Sequence, residues 1–239
     1  MNVAIIFAGG TGQRMKTASC PKQFLKLYGK PIIIYTLEIF QNHPEIDHII
    51  VACVAGWEDK LRRMCEEYGI TKLYKIVPGG KNTQASKLNA LHGLSDLCKD
   101  GDIVLMHDAV RPMIGPQLIT DNIAAVKQYG SAITADPFTE TGVVSTDGQT
   151  IESTIERSKL YIAKAPQSFY YKDVLEAHEA GESMPESITI DTCTLMTALG
   201  KTLHFVPCDF ANIKITRPED YYIFKALVDL RESKEILGI

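Results

Sequence analysis

The sequence predicts an α/β protein: a single-domain, Rossmann-like fold with a largely parallel, twisted sheet flanked by helices and a protruding β-arm. Three observations carry this expectation. Short β-branched or aliphatic runs alternate with helical patterns along the first half of the chain, the rhythm of parallel strands joined by crossover helices. The first run leads straight into glycines, AIIFAGGTG at 4–12, as a strand does when it opens onto an anion-binding turn. Past Pro137 the rhythm breaks, and a β-branched stretch around Asp147-Gly148 reads as a hairpin.

In chain order, VAIIF (3–7), HIIVACV (48–54), KLYKIV (72–77) and DIVLMHD (102–108) supply the strands. IIIYTLEIFQN (32–42), WEDKLRRMCEEYG (57–69) and ASKLNALHGLSDLC (85–98) supply the helices between them. In the last of these, Ala85, Leu88, Leu91, Leu94 and Leu97 form a helical stripe, with Asn82 or Thr83 as its cap and Gly79-Gly80 as the turn before it. Pro116 and Gln117 open a further helix that runs to Tyr129 and closes at Gly130. Right-handed crossovers place the loops after successive strands along one sheet edge, where open α/β folds bind ligands.

Residues 139–163 form the predicted arm, with Asp147-Gly148 between VVST and TIESTI. Its alternating polar and apolar residues point to one face packing on something, and the partner of a homodimer is the natural candidate. No repeat, linker or low-complexity tract divides the chain, so 1–239 is read as one domain with the arm as an excursion. Pro218 starts the last helix.

Composition narrows the function. The chain has 239 residues, 45% of them hydrophobic, and a net charge of -4. That balance disfavours a nonspecific nucleic-acid or anionic-membrane binder, which needs a basic excess. Any phosphate must be gripped by a local cluster. No apolar run approaches the roughly 20 residues of a membrane span, and MNVAIIFAGG has no basic region ahead of it, so the expected location is cytoplasmic. Cys20, Cys53, Cys65, Cys98, Cys193 and Cys208 lie far apart with no C-x-x-C and read as structural or incidental thiols, Cys20 being the exception to watch.

The opening loop admits three readings. A dinucleotide fingerprint fails because Gly10-x-Gly12-x-x ends in Met15 and HIIVACVAGW offers no acidic residue before Glu58. A P-loop fails because the glycine turn after the first strand does not run into Gly-Lys-Ser/Thr, and the Gly-Lys-Thr at 200–202 lacks the glycine five residues ahead of it. The third reading is a turn around a nucleoside triphosphate, with Arg14 and Lys22 on its phosphates. Asp108 in HDAVRP then holds a divalent metal at the strand end with Arg111 close by, and Lys214 in NIKITRPED follows another apolar strand. Singly these are ordinary loop charges; three strand-end loops bringing charge to one edge are not.

AGGTGQRM, PKQF, HDAVRP and NIKITRPED, in this order and spacing, resemble the cytidylyltransferases that act on polyol phosphates, over essentially the whole chain. The resemblance implies a nucleotidyltransferase fold of the glycosyltransferase-A-like kind. It implies CTP and a polyol phosphate as substrates, magnesium as cofactor and a CDP-alditol with pyrophosphate as products. Arg14, Lys22 and Lys214 match the catalytic cations, Asp108 the metal ligand, and Ala8, Gly9, Gly10, Gly12, Gly80, Lys81, Ser86 and Ala109 the region that reads the nucleotide along with Asp108. Arg111 matches an acceptor contact from one subunit, Thr141 and Arg157 contacts from the partner's arm, and Thr189 and Asp191 further acceptor positions. Three departures stand out: GGKNTQAS lacks the arginine usual in that loop, leaving Lys81 as its charge; Ile190-Asp191, with Thr189 one residue earlier, stands where a Ser/Thr-Asp pair is usual; and Ala165-Pro166-Gln167 replaces Thr-Pro-Gln. Ala-Gly-Gly at the opening resembles the ribitol phosphate branch, whereas NIKITRPED leans to the methylerythritol phosphate branch. Ribitol 5-phosphate is the first expectation, methylerythritol 4-phosphate the alternative. A relative using UTP, GTP or dTTP and a noncatalytic nucleotide-binding paralogue are the rivals.

Overall fold

Val3, Ala4, Ile5 and Ile6 have no exposed surface, so the first strand is apolar on both faces and needs cover on both. The computed structural model describes residues 1–10 and 20–237, and the chain provides that cover by alternation. β1 (Asn2–Ala8) is followed by a 3-10 turn at Lys22–Phe24, a small hairpin of β2 (Lys26–Leu27) and β3 (Lys30–Pro31), and α1 (Ile32–Gln41). Then come β4 (His48–Cys53), α2 (Glu58–Glu67), β5 (Leu73–Pro78), α3 (Thr83–His92), β6 (Ile103–Asp108) and α4 (Pro116–Tyr129). β7 (Ser131–Pro137), the arm strands β8 (Gly142–Val144) and β9 (Ser153–Ile155), and β10 (Tyr161–Tyr170) follow. α5 (Tyr171–Ala180), α6 (Glu186–Thr189), α7 (Thr192–Ala198), β11 (Phe205–Pro207) and α8 (Pro218–Leu237) complete the chain.

Among the described residues the central sheet has seven strands in the order β11-β7-β10-β6-β1-β4-β5. β1 pairs in parallel with β4 and β6, β4 with β5, and β11 with β7, while β10 runs antiparallel between β6 and β7. The largely parallel sheet read from the sequence is therefore present. Successive side chains of β1 feed opposite faces: Ala4, Ile6 and Ala8 pack with Ile33, Leu37, Leu61 and Ile119, whereas Val3 and Ile5 pack with Leu91, Leu94, Val174 and Leu195. A third cluster, with Ile215, Phe224 and Val228, docks α8 against Leu27 and Ile32. Trp57 opens α2 as a packing residue, stacked on Phe24 with ring centroids 4.4 Å apart.

The helix signals hold. The Asn82 side chain accepts from the Ala85 amide and caps α3, and Gly130 closes α4 in the left-handed conformation at φ 81. α3 stops at His92, short of Cys98; at Gly93 the chain lies so close to Ile50 and Val77 that a Cβ there would meet each at 2.9 Å. Turns beyond it still carry Leu94 into the core.

Three expectations need correction. The arm pairs as a hairpin, Gly142 with Ile155 and Val144 with Ser153, but Asp147-Gly148 is not a two-residue turn. The Asp147 carboxylate takes up the Gln149 and Thr150 amides and the Ser145 and Thr150 hydroxyls, which folds 145–152 into a longer side-chain-bonded loop. Residues 161–163, assigned to the arm, pair with Pro137, Asp136 and Ala135 in the central sheet. Lys214 does not follow directly on a strand: β11 ends at Pro207, and 208–217 cross the sheet edge as irregular chain.

His178 is fully buried, its ring nitrogens 2.7 Å from the Gln84 Oε1 and 3.2 Å from the Thr192 Oγ1. Burial, with Lys87 adding to it, pushes the imidazole down to about 3. An unfolded histidine titrates near 6.5, so on acidification the unfolded chain takes up a proton that folded His178 refuses. Stability is therefore lost as pH falls below about 6.5, and this one group removes about 2 kcal/mol by pH 5. Urea unfolding at pH 7 and pH 5 should show that portion of the loss absent in His178→Gln; an equal loss in both proteins would contradict it.

Candidate active site

β1 continues to β4 and β5 on one side, and β6 lies on its other side. The sheet reverses direction of growth there, and the carboxyl ends of β1, β5 and β6 open onto one crevice. At the end of β1, the Ala8 carbonyl accepts from the Val54 amide at 3.1 Å and from Gln23 Nε2 at 2.5 Å. Gln23 is buried and also donates to the Gly10 carbonyl at 3.1 Å. PKQF thus pins the glycine turn from below.

At the end of β5 the second glycine pair is a steric requirement. A Cβ on Gly80 would lie 2.3 Å from the Ala85 Cβ and 2.6 Å from the Ser86 nitrogen, and one on Gly79 would lie 3.2 Å from the Gly9 Cα. The Ser86 hydroxyl accepts from the Gly80 amide and donates to the Asn82 carbonyl, both at 2.9 Å. Both glycine turns and the first turn of α3 are locked together. Lys81 beside them is exposed.

At the end of β6 the Asp108 carboxylate accepts from Arg111 Nε and from Lys214 Nζ, each at 2.9 Å. Burial pushes this carboxyl up, but Lys214 and Arg111 outweigh it and hold it well below the usual carboxylate range. Arg111 also donates to the Asn212 carbonyl at 3.0 Å, and Asn212, buried, donates to the Ala165 carbonyl at 2.8 Å. Lys22 Nζ donates to the Ile215 carbonyl at 2.8 Å, which sets it beside the residue that follows Lys214 in the chain. His107 is fully buried against Phe40, and burial pushes its ring down to about 4, so it is neutral at ordinary pH.

These groups border a cleft of about 270 Å³, lined on its far wall by Lys87, Gln167, Asp191 and Thr192. Asp191 caps α7 through the Cys193 and Thr194 amides and accepts from Gln167 Nε2 at 3.1 Å. Thr189 is buried behind this wall and offers its carbonyl to Lys87. Of the residues expected at a site, Asp108, Arg111, Lys214 and Asp191 meet in the cleft, whereas Gly9, Gly80 and Ser86 gather with one another at the start of α3 and, like Gly10, do not line it. Ala109 is fully buried, its amide bonded to the Phe7 carbonyl and its carbonyl to the Thr36 hydroxyl. Thr141 and Arg157 sit on the exposed arm and do not line the cleft, Arg157 reaching only the Thr139 carbonyl. Arg14 and Gly12 lie outside the described residues.

Three residues of the site were not expected from the sequence: Gln23, Asn212 and Lys87. The first two are pinning residues with no signature beyond the motifs that contain them. Lys87 had one: it stands four residues before Leu91 and seven before Leu94 on the buried stripe of α3, where a solvated lysine has no place. Chemically the cleft offers cations and two carboxylates around a small polar space, and a neutral histidine too deep to exchange protons. Such a set binds and stabilises charge and does not need to generate a nucleophile.

The family model described as IspD, 2-C-methyl-D-erythritol 4-phosphate cytidylyltransferase, matches residues 2–230. The chain is 43% identical over 239 residues to a ribitol-5-phosphate cytidylyltransferase of Streptococcus agalactiae, covering 100% of both. It is 36% identical over 228 residues to a 2-C-methyl-D-erythritol 4-phosphate cytidylyltransferase of Clostridium botulinum, covering 95% of this chain and 97% of that one. The structure of 4-diphosphocytidyl-2C-methyl-D-erythritol synthase from Anaerococcus prevotii superposes with a TM-score of 0.80 at 26% identity, over 95% of this chain and 96% of that one.

The glycine lock gives a direct test. Gly80→Ala forces its Cβ into the α3 backbone and should cost about 1–3 kcal/mol, lowering the thermal midpoint by several degrees. Gly101→Ala, whose Cβ meets nothing within 4 Å, should leave it nearly unchanged. Equal midpoints for the two variants would contradict the lock.

Proposed function

The chain belongs to the IspD family of cytidylyltransferases, and we propose that it transfers CMP from CTP to a polyol phosphate, ribitol 5-phosphate first, releasing pyrophosphate. The observation that carries this reading is the Asp108 carboxylate bridging Lys214 and Arg111 at the carboxyl end of β6, 2.9 Å from each. Full-length similarity to a ribitol-5-phosphate cytidylyltransferase at 43% identity supports the acceptor. Methylerythritol 4-phosphate is the alternative, supported by the description of the family model.

In the proposed reaction an oxygen of the acceptor phosphate, already anionic, attacks the α-phosphorus of CTP. The new P–O bond forms as the bond to the β-phosphate oxygen breaks, and the electron pair leaves with pyrophosphate. No base is required, which fits the absence of an accessible histidine among the described residues of the cleft. Lys22 and Lys214 neutralise charge that spreads over the α-phosphate, with Arg14 joining them from the opening loop. Ala8, Gly9 and Gly10 with Gly80, Lys81 and Ser86 hold the nucleoside, their backbone groups and one hydroxyl matching the edge of a pyrimidine. Arg111 and Asp191 receive the acceptor, with Thr189 supporting their wall from behind.

Magnesium is the cofactor of this reading. Among the described residues no three His, Cys, Asp or Glu gather to hold a metal by protein ligands alone. A lone Asp108 beside a triphosphate is nonetheless the donor set magnesium takes, one or two carboxylates completed by phosphate oxygens and water. When bound, the ion supplies neutralisation of the triphosphate and of the departing pyrophosphate.

The arm gives the reading its quaternary side. Val143 and Ile155 on the hairpin are 49% and 41% exposed, and Ile151 in its loop is 69% exposed, an apolar surface suited to a second copy of the chain. In a homodimer Thr141 and Arg157 reach the partner's cleft. No helix of the described residues is long and apolar enough to cross a membrane; the cytoplasm is the location proposed with this reading.

Pyrophosphate release with CTP and magnesium, tested against ribitol 5-phosphate, methylerythritol 4-phosphate and glycerol phosphates, should be fastest with ribitol 5-phosphate and weak when UTP or ATP replaces CTP. Release with no acceptor in the panel would overturn the reading. The shared site makes a second prediction. Lys214→Ala and Arg157→Ala should each be nearly inactive alone, and mixing them equally should restore about a quarter of wild-type activity, because one site in each heterodimer is intact. No recovery under subunit exchange would place Arg157 elsewhere.

A further inference from the structure

Lys87 is a buried cation of the cleft that the mechanism leaves unused. It is 6% exposed, yet its side chain borders the cleft next to Asp191, Gln167 and Thr192. The other cations there are committed: Arg111 and Lys214 to Asp108, and Lys164 to Asp136, each at 2.9 Å. Lys87 donates instead to the Ile190 carbonyl at 3.2 Å and approaches the Thr189 carbonyl at 3.5 Å. An ammonium has three N–H groups, so one remains for the cleft. Burying it this far costs several kcal/mol unless neighbouring groups answer the charge.

Burial pushes the ammonium down to about 8, and the attraction of Asp191, then of Asp108, opposes that push. Asp191 spends Oδ1 on the Cys193 and Thr194 amides and meets Gln167 through Oδ2 at 3.1 Å, which leaves Oδ2 with accepting capacity. The wall therefore offers a donor and an acceptor together. A phosphate dianion placed there would face two carboxylates. A hydroxyl suits it, because it accepts from one group and donates to the other.

We propose that Lys87 and Asp191 together read a hydroxyl of the acceptor's polyol chain, Lys87 Nζ donating to its oxygen and Asp191 accepting its proton, so that Lys87 determines acceptor specificity. This rests on the cytidylyltransferase reading above. It also makes α3 serve both substrates, since Ser86 fastens the nucleotide turn and the next residue reads the acceptor.

The test compares Lys87→Met and Lys87→Gln with the wild type, using ribitol 5-phosphate and its monodeoxy analogues with CTP and magnesium. In Lys87→Met the KM for ribitol 5-phosphate should rise about tenfold or more, with kcat changed far less and the KM for CTP unchanged. The wild type should discriminate against one monodeoxy analogue, and the methionine variant should not. Lys87→Gln, which keeps a neutral donor, should fall between, and serves alone if the methionine variant fails to fold. An unchanged acceptor KM in the folded variants, an equal loss across all analogues, or a parallel rise in the KM for CTP overturns the assignment. Wild-type turnover separates the two levels: its absence overturns the parent reading and Lys87's role with it, whereas its presence with unaffected variants overturns the role of Lys87 alone.

Discussion

The carboxylate of Asp108 ties together parts of the chain that sequence keeps far apart. Lys214, 106 residues downstream, and Arg111 both end on it, and burial alone would push this acid toward its neutral form. Their attraction keeps it charged, and the arrangement is costly to break, since removing one member leaves an uncompensated charge in a partly dry site. Everything around it serves to hold those positions. β6 delivers Asp108 to the sheet edge, Asn212 fixes Arg111 and the Ala165 carbonyl, and the Ile215 carbonyl brings Lys22 to the same place. A triphosphate with its metal would meet cations already placed, so little reorganisation is left for the chemical step.

A second network couples the two ends of the cleft. Gln84, in the first turn of α3, donates to the His178 carbonyl at 2.6 Å and accepts at its ring, and the same ring reaches Thr192 at the start of α7. The start of α3, where the glycine turns are fastened, and the Asp191 wall are thus two ends of one buried polar chain. Such a chain is rigid when fully satisfied, and here every member has a partner.

Much of this was legible in the sequence, for identifiable reasons. Strands apolar on both faces and helices with clear caps declared the parallel sheet; Asn82, Gly130 and Pro218 mark their boundaries where the chain puts them. Asp108, Arg111 and Lys214 were visible as charges at the ends of apolar runs. The Asp147-Gly148 signal placed the hairpin correctly, but the aspartate side chain, not the glycine backbone, organises its loop. Asn212 was missed because its role depends on a contact with a residue 47 positions away, which no local pattern encodes, whereas Lys87 carried a local sign in its place on the buried stripe of α3, though its partner lies 103 positions away.

The most direct test is turnover by Asp108→Asn, with CTP and acceptor saturating and with folding checked by thermal melting. The amide keeps the shape but removes the charge that gathers Lys214 and Arg111, and kcat should fall by about a thousandfold in a protein that still folds. A folded Asp108→Asn protein retaining kcat within a few-fold of the wild type would show that the reaction is organised elsewhere.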